Sequence, residues 1–299
     1  MNNSCVPGSV MVGVDGSPSS DTAVVWAATY ALAQRRPLAI VHGAGHPVPT
    51  DFTDFTGDVA EAHQDLRMAG RHVSDHALGL AQATSPAVDV SVHLALREPR
   101  ELLLEMATDA SLLVLGTRGR GSVASLLLGS VSVALAAHAP CPVVVARSPR
   151  ASAGPDGLPV VVGADGTAGS AGALTLGFEL ASEQNRRLEV VHAIGDAWLF
   201  PFPGLVSSEM VNEEINGWEL LLAESLAGYS EKFPDVVVDS RLVRGSPAQA
   251  LVSASGAASV VVVGSRGRSA VTSRLLGSVS RSVVEHAQCT VAVVRGVGT

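Results

Sequence analysis

The sequence predicts an α/β protein made of two tandem, doubly wound domains, each built on a parallel sheet. Three observations carry this. The chain is written twice, short apolar runs alternate with helical patterns in each copy, and those runs are apolar at consecutive positions. VMVGVDGS (Val10–Ser17) matches VVVGADGT (Val160–Thr167) at an offset of 150, and LAIVHGAG (Leu38–Gly45) matches LEVVHAIG (Leu188–Gly195) at the same offset. SLLVLGTRGRG (Ser111–Gly121) matches SVVVVGSRGRS (Ser259–Ser269), and HAPCPVVVAR (His138–Arg147) matches HAQCTVAVVR (His286–Arg295), both at 148. So long a period marks a duplicated domain, because solenoid repeats run to roughly 20–50 residues. The expected division is a first domain at 1–148, a linker rich in Pro, Gly and Ala at 149–158, and a second domain at 159–299.

The elements follow in order. Val10–Val14, Leu38–Val41, Leu112–Leu115 and Val143–Ala146 are nearly continuous apolar runs. Such runs suit strands covered on both faces, as in a parallel sheet. Val88, Val90 and Val92 instead alternate with Asp89, Ser91 and His93, the pattern of a half-exposed edge strand. Between strands, Ala23, Trp26, Ala27, Tyr30 and Ala31 recur at helical spacing, as do Ala171, Leu174, Phe178 and Ala181 in the second copy. Pro99 and Pro247, 148 apart, fall where a first helical turn tolerates proline. Alternation of this kind winds helices onto both faces of a sheet.

Composition narrows the function classes. Apolar residues make up 47% of the 299 residues, enough for a core in each half. A net charge of −8 argues against a nucleic-acid coat or an anionic membrane surface. Lys232 is the only lysine, so arginine, whose planar fork grips oxyanions, carries the positive charge. Cys5, Cys141 and Cys289 form no Cys-x-x-Cys pair, and Cys141 and Cys289 are expected as small buried hydrophobes in a reducing cytosol. The N-terminal stretch has no basic region followed by an apolar one, and no run approaches ~18 apolar residues. A cytoplasmic protein without a membrane span is expected.

The glycine frame is the sharpest signal. Gly116, Gly119 and Gly129-Ser130 recur as Gly264, Gly267 and Gly277-Ser278, with identical gaps of two and nine residues. Each frame starts at a strand end and stops at a helix start. Glycine lets backbone N–H groups approach a ligand, and a helix N-terminus offers unpaired donors at a positive dipole end. Ser130 and Ser278 add a hydroxyl, Arg118 and Arg120 add charge, and a phosphate chain is the natural guest. The competing reading is that these glycines only turn the chain. Neither loop holds the lysine of Gly-x-x-x-x-Gly-Lys-[Ser/Thr], and Gly-x-Gly-x-x-Gly does not follow the first strand. Asp15 and Asp165 end the first strand of each half, where open α/β sheets hold ligands at the switch point. Each either accepts from a ribose hydroxyl or an adenine amine, or serves the cap of the next helix, where Ser17 and Thr167 compete.

With these residues in view, the sequence resembles the universal stress proteins, in the tandem form with two such domains in one chain. The resemblance covers both halves almost entirely. Its most specific element is Gly-2x-Gly-9x-Gly-[Ser/Thr], present in full twice, which marks the ATP-binding branch of the family. It implies a five-stranded parallel sheet of order 3-2-1-4-5 with four helices, the adenine-nucleotide alpha-hydrolase-like fold. Carried over by position, Asp15 and Asp165 lie near the adenosine, with Gly13 and Gly163 in the same strand ends. Gly43 and Ala193 present backbone to adenine. The ribose and phosphate loop is Gly116, Thr117, Arg118, Gly119, Arg120, Gly121 and Ser122, with Gly264, Ser265, Arg266, Gly267, Arg268 and Ser269. Gly129, Ser130 and Val131, with Gly277, Ser278 and Val279, meet the triphosphate, with or without Mg2+. Gly43 stands where bulkier residues are usual, so a looser adenine pocket is expected in the first domain. The family also pairs domains through the last strand, which implies that PVVVAR and TVAVVR dock the halves as a pseudo-dimer; a homodimer is a further expectation.

Other residues read more plainly. His42 and His192, at strand ends, are expected as packed, hydrogen-bonded side chains, and His138 and His286 as helix-terminal groups favoured by the dipole. His42, His46, His63, His72 and His76 are too irregular for a zinc signature. GDAWLFPFPGL (Gly195–Leu205) and its counterpart GHPVPTDFTDF, with Phe52 and Phe55, are a lid, a subunit contact or ordinary packing. The resulting function is a nucleotide-dependent regulator of stress response or growth with at most slow ATP hydrolysis. The alternatives are an adenylyl- or phosphoryl-transferring enzyme using the same loops, and an interaction module whose glycines bind nothing.

Overall fold

Strands of consecutive apolar residues need cover on both faces, and the chain provides it twice. The computed structural model describes residues 6–45, 59–119, 128–148, 157–194, 208–266 and 276–295, with backbone alone at 59–60, 168 and 208–214. Two units divide at Arg147 and Ser148. The first runs β1 (Val10–Gly13), α1 (Pro18–Ala33), β2 (Leu38–Gly43), α2 (Val59–Thr84), β3 (Val90–Ala95), α3 (Pro99–Met106), β4 (Leu112–Gly116), α4 (Ser130–His138) and β5 (Val143–Ala146). The second runs β6 (Val160–Gly163), α5 (Ala171–Glu183), β7 (Leu188–Ile194), α6 (Ser208–Leu226), α7 (Tyr229–Lys232), β8 (Val238–Arg244), α8 (Pro247–Ala254), β9 (Val260–Gly264), α9 (Ser278–His286) and β10 (Thr290–Val294).

Within the first unit the strands lie in the order β3-β2-β1-β4-β5, the expected 3-2-1-4-5, and the second repeats it as β8-β7-β6-β9-β10. All of these pairings are parallel; Val10 faces Leu38 on one side and Leu112 on the other, and Val160 faces Leu188 and Val260. Val10, Met11, Val12, Leu113 and Val144 are wholly buried, as are Val160, Val162, Val261 and Val291 apart from traces. The β3 strand is less buried, as its alternating pattern predicts. The order in which strands are added reverses between β1 and β4, and between β6 and β9, so each sheet has a crevice at the carboxyl ends of those strands.

Helix α1 starts where the sequence supplies a cap: Ser17 accepts from the Ser20 N–H, and Pro18 takes the first turn. Its Ala23, Val24, Ala27, Ala28 and Ala31 are buried against the sheet. Arg35 and Asn185 end α1 and α5 in the left-handed region, at φ 52° and 48°; asparagine suits that position better than arginine does. Pro99 and Pro247 begin α3 and α8 as the sequence predicts. Behind α5, Phe178 stacks on Tyr229 at 4.6 Å and on Phe233 at 5.5 Å, a cluster with no aromatic counterpart in the first-half sequence. Cys141 and Cys289 are buried, as the sequence predicts. Among the described residues, no helix is long and apolar enough to cross a membrane.

Candidate functional site

Because every strand of a unit is parallel, the residues singled out by sequence meet at one edge. In the second unit they enclose a cavity of about 360 Å3. Small-molecule pockets span roughly 300–1,000 Å3. Gly163 and Asp165 reach it from the end of β6, Ala193 from β7, and Gly264 and Arg266 from the end of β9. Gly277, Ser278 and Val279 bring the start of α9. Four stretches far apart in sequence thus share one opening, and Ser265 lies buried between Gly264 and Arg266. Arg120, Gly121, Ser122, Gly267, Arg268 and Ser269 lie outside the described residues, as do Phe52, Phe55 and Gly195–Leu205.

The start of α9 shows what the motif does. Gly277 is the residue before the helix, at φ −63°, and Gly129 holds the same place before α4 at φ −74°. Neither angle requires glycine. A Cβ on Gly129 would meet its nearest neighbour, the Thr117 carbonyl, at 3.6 Å, an ordinary contact; one on Gly277 would meet the Ser265 carbonyl at 3.3 Å. Chain turning therefore does not demand these two glycines. The first intrahelical bond runs from the Arg281 N–H to the Gly277 carbonyl at 2.9 Å, so the N–H groups of the first turn ahead of it have no helical partner. Ser280 ties the helix start to the strand end, donating to the Gly264 carbonyl at 2.9 Å, and Ser132 does the same to Gly116 at 2.8 Å. These serines were missed by the sequence reading, though the shared string GSVS carries them in both copies.

Asp165 is held with one oxygen. Its Oδ1 accepts from the Thr167 N–H at 3.0 Å, the Thr167 hydroxyl at 2.6 Å and the Ser170 hydroxyl at 3.2 Å. Asp15 Oδ1 accepts likewise from the Ser17 N–H at 3.0 Å and its hydroxyl at 2.6 Å. Ser17, and not Asp15, caps α1. The aspartates organise the turn with one oxygen, which leaves the other geometrically separate from the capping role. His42 and His192 donate from Nδ1 to the Val14 and Ala164 carbonyls, both at 2.7 Å, as packed histidines. His138 and His286 close α4 and α9 with Nδ1 on Ala134 and Ser282 carbonyls.

The β7 side of the cavity holds residues the sequence did not flag as part of a site. Trp218 on α6 stacks against His192, ring centroids 5.0 Å apart, and Pro247 and Leu251 of α8 face it. No periodic signal marks Trp218; it falls on a helix whose partner in the first unit carries Gly70.

The first unit places Gly13, Asp15, Gly43, Gly116, Thr117, Arg118, Gly119, Gly129, Ser130 and Val131 at the matching edge, but packs them differently. Ser19 donates to the Arg118 carbonyl, from which Ser17 Oγ also lies 3.1 Å, and the Arg118 N–H donates back to Ser19 Oγ at 3.2 Å. A Cβ on Gly116 would lie 2.6 Å from the Ser19 backbone, and one on Gly119 would lie 2.5 Å from Asp15 Oδ2. At Gly43 the expected looseness is absent: a Cβ there would meet Pro99 Cα at 2.7 Å and the Arg97 carbonyl at 2.9 Å. Glycine at this place lets the β3–α3 turn settle onto the strand end. Among the described residues no group of three or more His, Cys, Asp and Glu is placed to hold a metal ion.

Comparison with known proteins agrees with this architecture. The profile of the Universal stress protein family matches residues 8–147 and again 158–295. The universal stress protein Rv2005c of Mycobacterium tuberculosis (strain ATCC 25618 / H37Rv) is 39% identical over 294 residues, covering 96% of each chain. Rv2623 of the same strain, also a universal stress protein, is 36% identical over 295 residues, again with 96% of each covered. A crystal structure of a universal stress protein from Archaeoglobus fulgidus DSM 4304 superposes at a TM-score of 0.65, 17% identical, over 99% of this chain and 98% of that one.

Proposed function

This chain belongs to the universal stress protein family, and from that premise we propose that it binds ATP in the second-domain cavity and acts as a nucleotide-dependent regulator. One observation carries the reading. Eight residues chosen from sequence as nucleotide contacts line a single cavity of about 360 Å3. The residues present suit the ligand. Bare Cα at Gly277 and the first-turn N–H groups of α9 offer the phosphates amide donors at a positive dipole end. Arg266 adds a charged fork, and the Asp165 carboxylate can accept from a ribose hydroxyl. Ala193 brings backbone to the base. Among the described lining residues Asp165 is the carboxylate, so a magnesium ion would arrive with the triphosphate and gain one protein oxygen at most.

Rapid catalysis has little support. His192 is the imidazole at the cavity, and its Nδ1–H is spent on the Ala164 carbonyl while its ring stacks on Trp218. A group so held positions the wall. Nucleotide occupancy is then the output: a filled cavity fixes the α9 start and the β9 loop together, and partners read that state. Which stress or growth signal is involved belongs to those partners. Calorimetric titration with ATP, with native mass spectrometry of the purified chain, tests the reading. Saturable binding is expected, and its absence at millimolar ATP overturns it.

A further inference from the structure

Among the positions at which the two crevices differ, three pairs act in one direction. The first pair is Ser19 and Gly169, 150 apart. Ser19 donates to the Arg118 carbonyl and accepts from the Arg118 N–H, so its hydroxyl closes a two-bond clasp on the β4–α4 loop. Ser17 Oγ also lies 3.1 Å from that carbonyl, though its proton goes to Asp15 at 2.6 Å. Gly169 has no side chain and cannot make the clasp with Arg266. The strand end is correspondingly looser: a Cβ on Gly264 would sit 3.2 Å from the Gly169 carbonyl, against 2.6 Å for Gly116 and the Ser19 carbonyl.

The second pair is Gly70 and Trp218, each against the histidine that ends its second strand. A Cβ on Gly70 would already be 3.2 Å from the His42 ring and 2.6 Å from Leu94. Helix α2 therefore lies directly on β2 and β3. Trp218 interposes a whole indole at that level and lines the cavity. The third pair is Gly43 and Ala193. Backbone of Arg97–Pro99 occupies the space over Gly43. Ala193 carries a Cβ, and both it and Pro247, the counterpart of Pro99, face open volume.

We propose that the chain has a single adenine-nucleotide site, in the second domain, and that the first domain's equivalent crevice is held shut by the Ser19 clasp, the close approach at Gly70 and the Arg97–Pro99 turn over Gly43. The proposal rests on the nucleotide-binding reading above and adds which copy binds. Both copies keep the full glycine motif, so the motif alone does not distinguish them; side chains outside it do.

Titration of the full chain with ATP is expected to give one site per chain, and Gly277→Val, which adds a branched side chain at a lining position beside the Ser265 carbonyl, to leave none. Two sites in the wild-type chain, or one site surviving in Gly277→Val, overturns the single-site assignment while leaving nucleotide binding intact. No binding in the wild-type chain overturns the nucleotide reading and this proposal with it. Hydrogen exchange on the wild-type chain covers the case in which Gly277→Val fails to fold. Saturating ATP is expected to slow the amides of 278–280 by roughly tenfold or more and to leave 130–132 within about twofold. Slowing at both helix starts overturns the proposal. The clasp is read at one amide: in Ser19→Gly, the second domain's own residue, exchange at Arg118 is expected to rise by roughly tenfold as its acceptor is lost. An unchanged Arg118 amide refutes the clasp.

Discussion

Asp165→Asn separates the two jobs assigned to that carboxylate. Three donors converge on Oδ1, at 3.0, 2.6 and 3.2 Å. An asparagine carbonyl can keep all three, so the turn is retained while the charge and the second acceptor oxygen are lost. Hydrogen bonds to a charged group are worth about 1.5–3 kcal/mol and neutral ones about 0.5–1.5. Three bonds sharing one oxygen are not additive, and a stability loss of about 1–2 kcal/mol is expected. The ligand loses an acceptor outright. That is about 1.5–3 kcal/mol, or roughly ten- to hundred-fold in Kd. Thr167→Ala is the control, because it removes the 2.6 Å donor but leaves the carboxylate. It is expected to cost about 1 kcal/mol in stability and to shift Kd by less than about threefold. Urea unfolding and calorimetric titration of both variants give the four numbers. If Asp165→Asn binds ATP as the wild-type chain does, the aspartate only builds the turn and the reasoning fails. Equal loss of affinity in Thr167→Ala fails it too.

Gly43→Ala places a methyl 2.7 Å from Pro99 Cα, a backbone atom, and is expected to destabilise the first domain by about 1–3 kcal/mol in a urea melt. Phe178→Ala removes a ring that is 1% exposed and stacked on two others; a loss of about 3–5 kcal/mol is expected, again by urea unfolding. Burial first, and the Glu179 carboxylate second, push the Glu183 carboxyl up to about 7. With its folded value above the ordinary value of 4.5, the native state binds the extra proton, so the contribution is full below that pH and lost as pH rises through about 7. Glu183→Gln is accordingly expected to raise the unfolding free energy at pH 8, by under about 1 kcal/mol because the side chain keeps part of its surface in water, and to change nothing at pH 4.

The sheet was legible because burial on both faces leaves a strong mark. Val10–Val14, Leu112–Leu115 and Val143–Ala146 are strands within a residue of where consecutive apolar residues put them. Leu38–Val41 was read short, since β2 continues through His42 and Gly43, and a polar ring and a glycine break an apolar run without breaking a ladder. Pro99 and Pro247 fixed two helix starts because proline excludes most other places. What lay beyond reach was the state of each crevice. Aligned repeats equate SPSS with TAGS, yet one serine hydroxyl in the first string carries the clasp on Arg118. Gly43 misled for a related reason. A missing side chain was read as free space, whereas the neighbouring turn moved in to fill it.

Glycines at matching places in the two frames answer to different forces. Gly116 is needed because Ser19 backbone lies where its Cβ would be, whereas Gly119 faces the end of the Asp15 side chain. The first is a packing constraint, and it persists whether or not a ligand ever enters. Gly277 has permissive dihedrals and a tight but adjustable neighbour, so packing alone would tolerate a small side chain there. Its bare Cα opens instead onto the cavity. On the single-site proposal, a domain whose crevice has closed keeps part of its glycine spacing for the sake of its own core, while its open twin keeps the same spacing for a guest. Counting motifs counts backbones able to take this path. On the single-site proposal, the number of guests turns on whether a hydroxyl at position 19 or a hydrogen at position 169 faces the loop, and on whether an indole or nothing stands off the helix beside the strand-ending histidine.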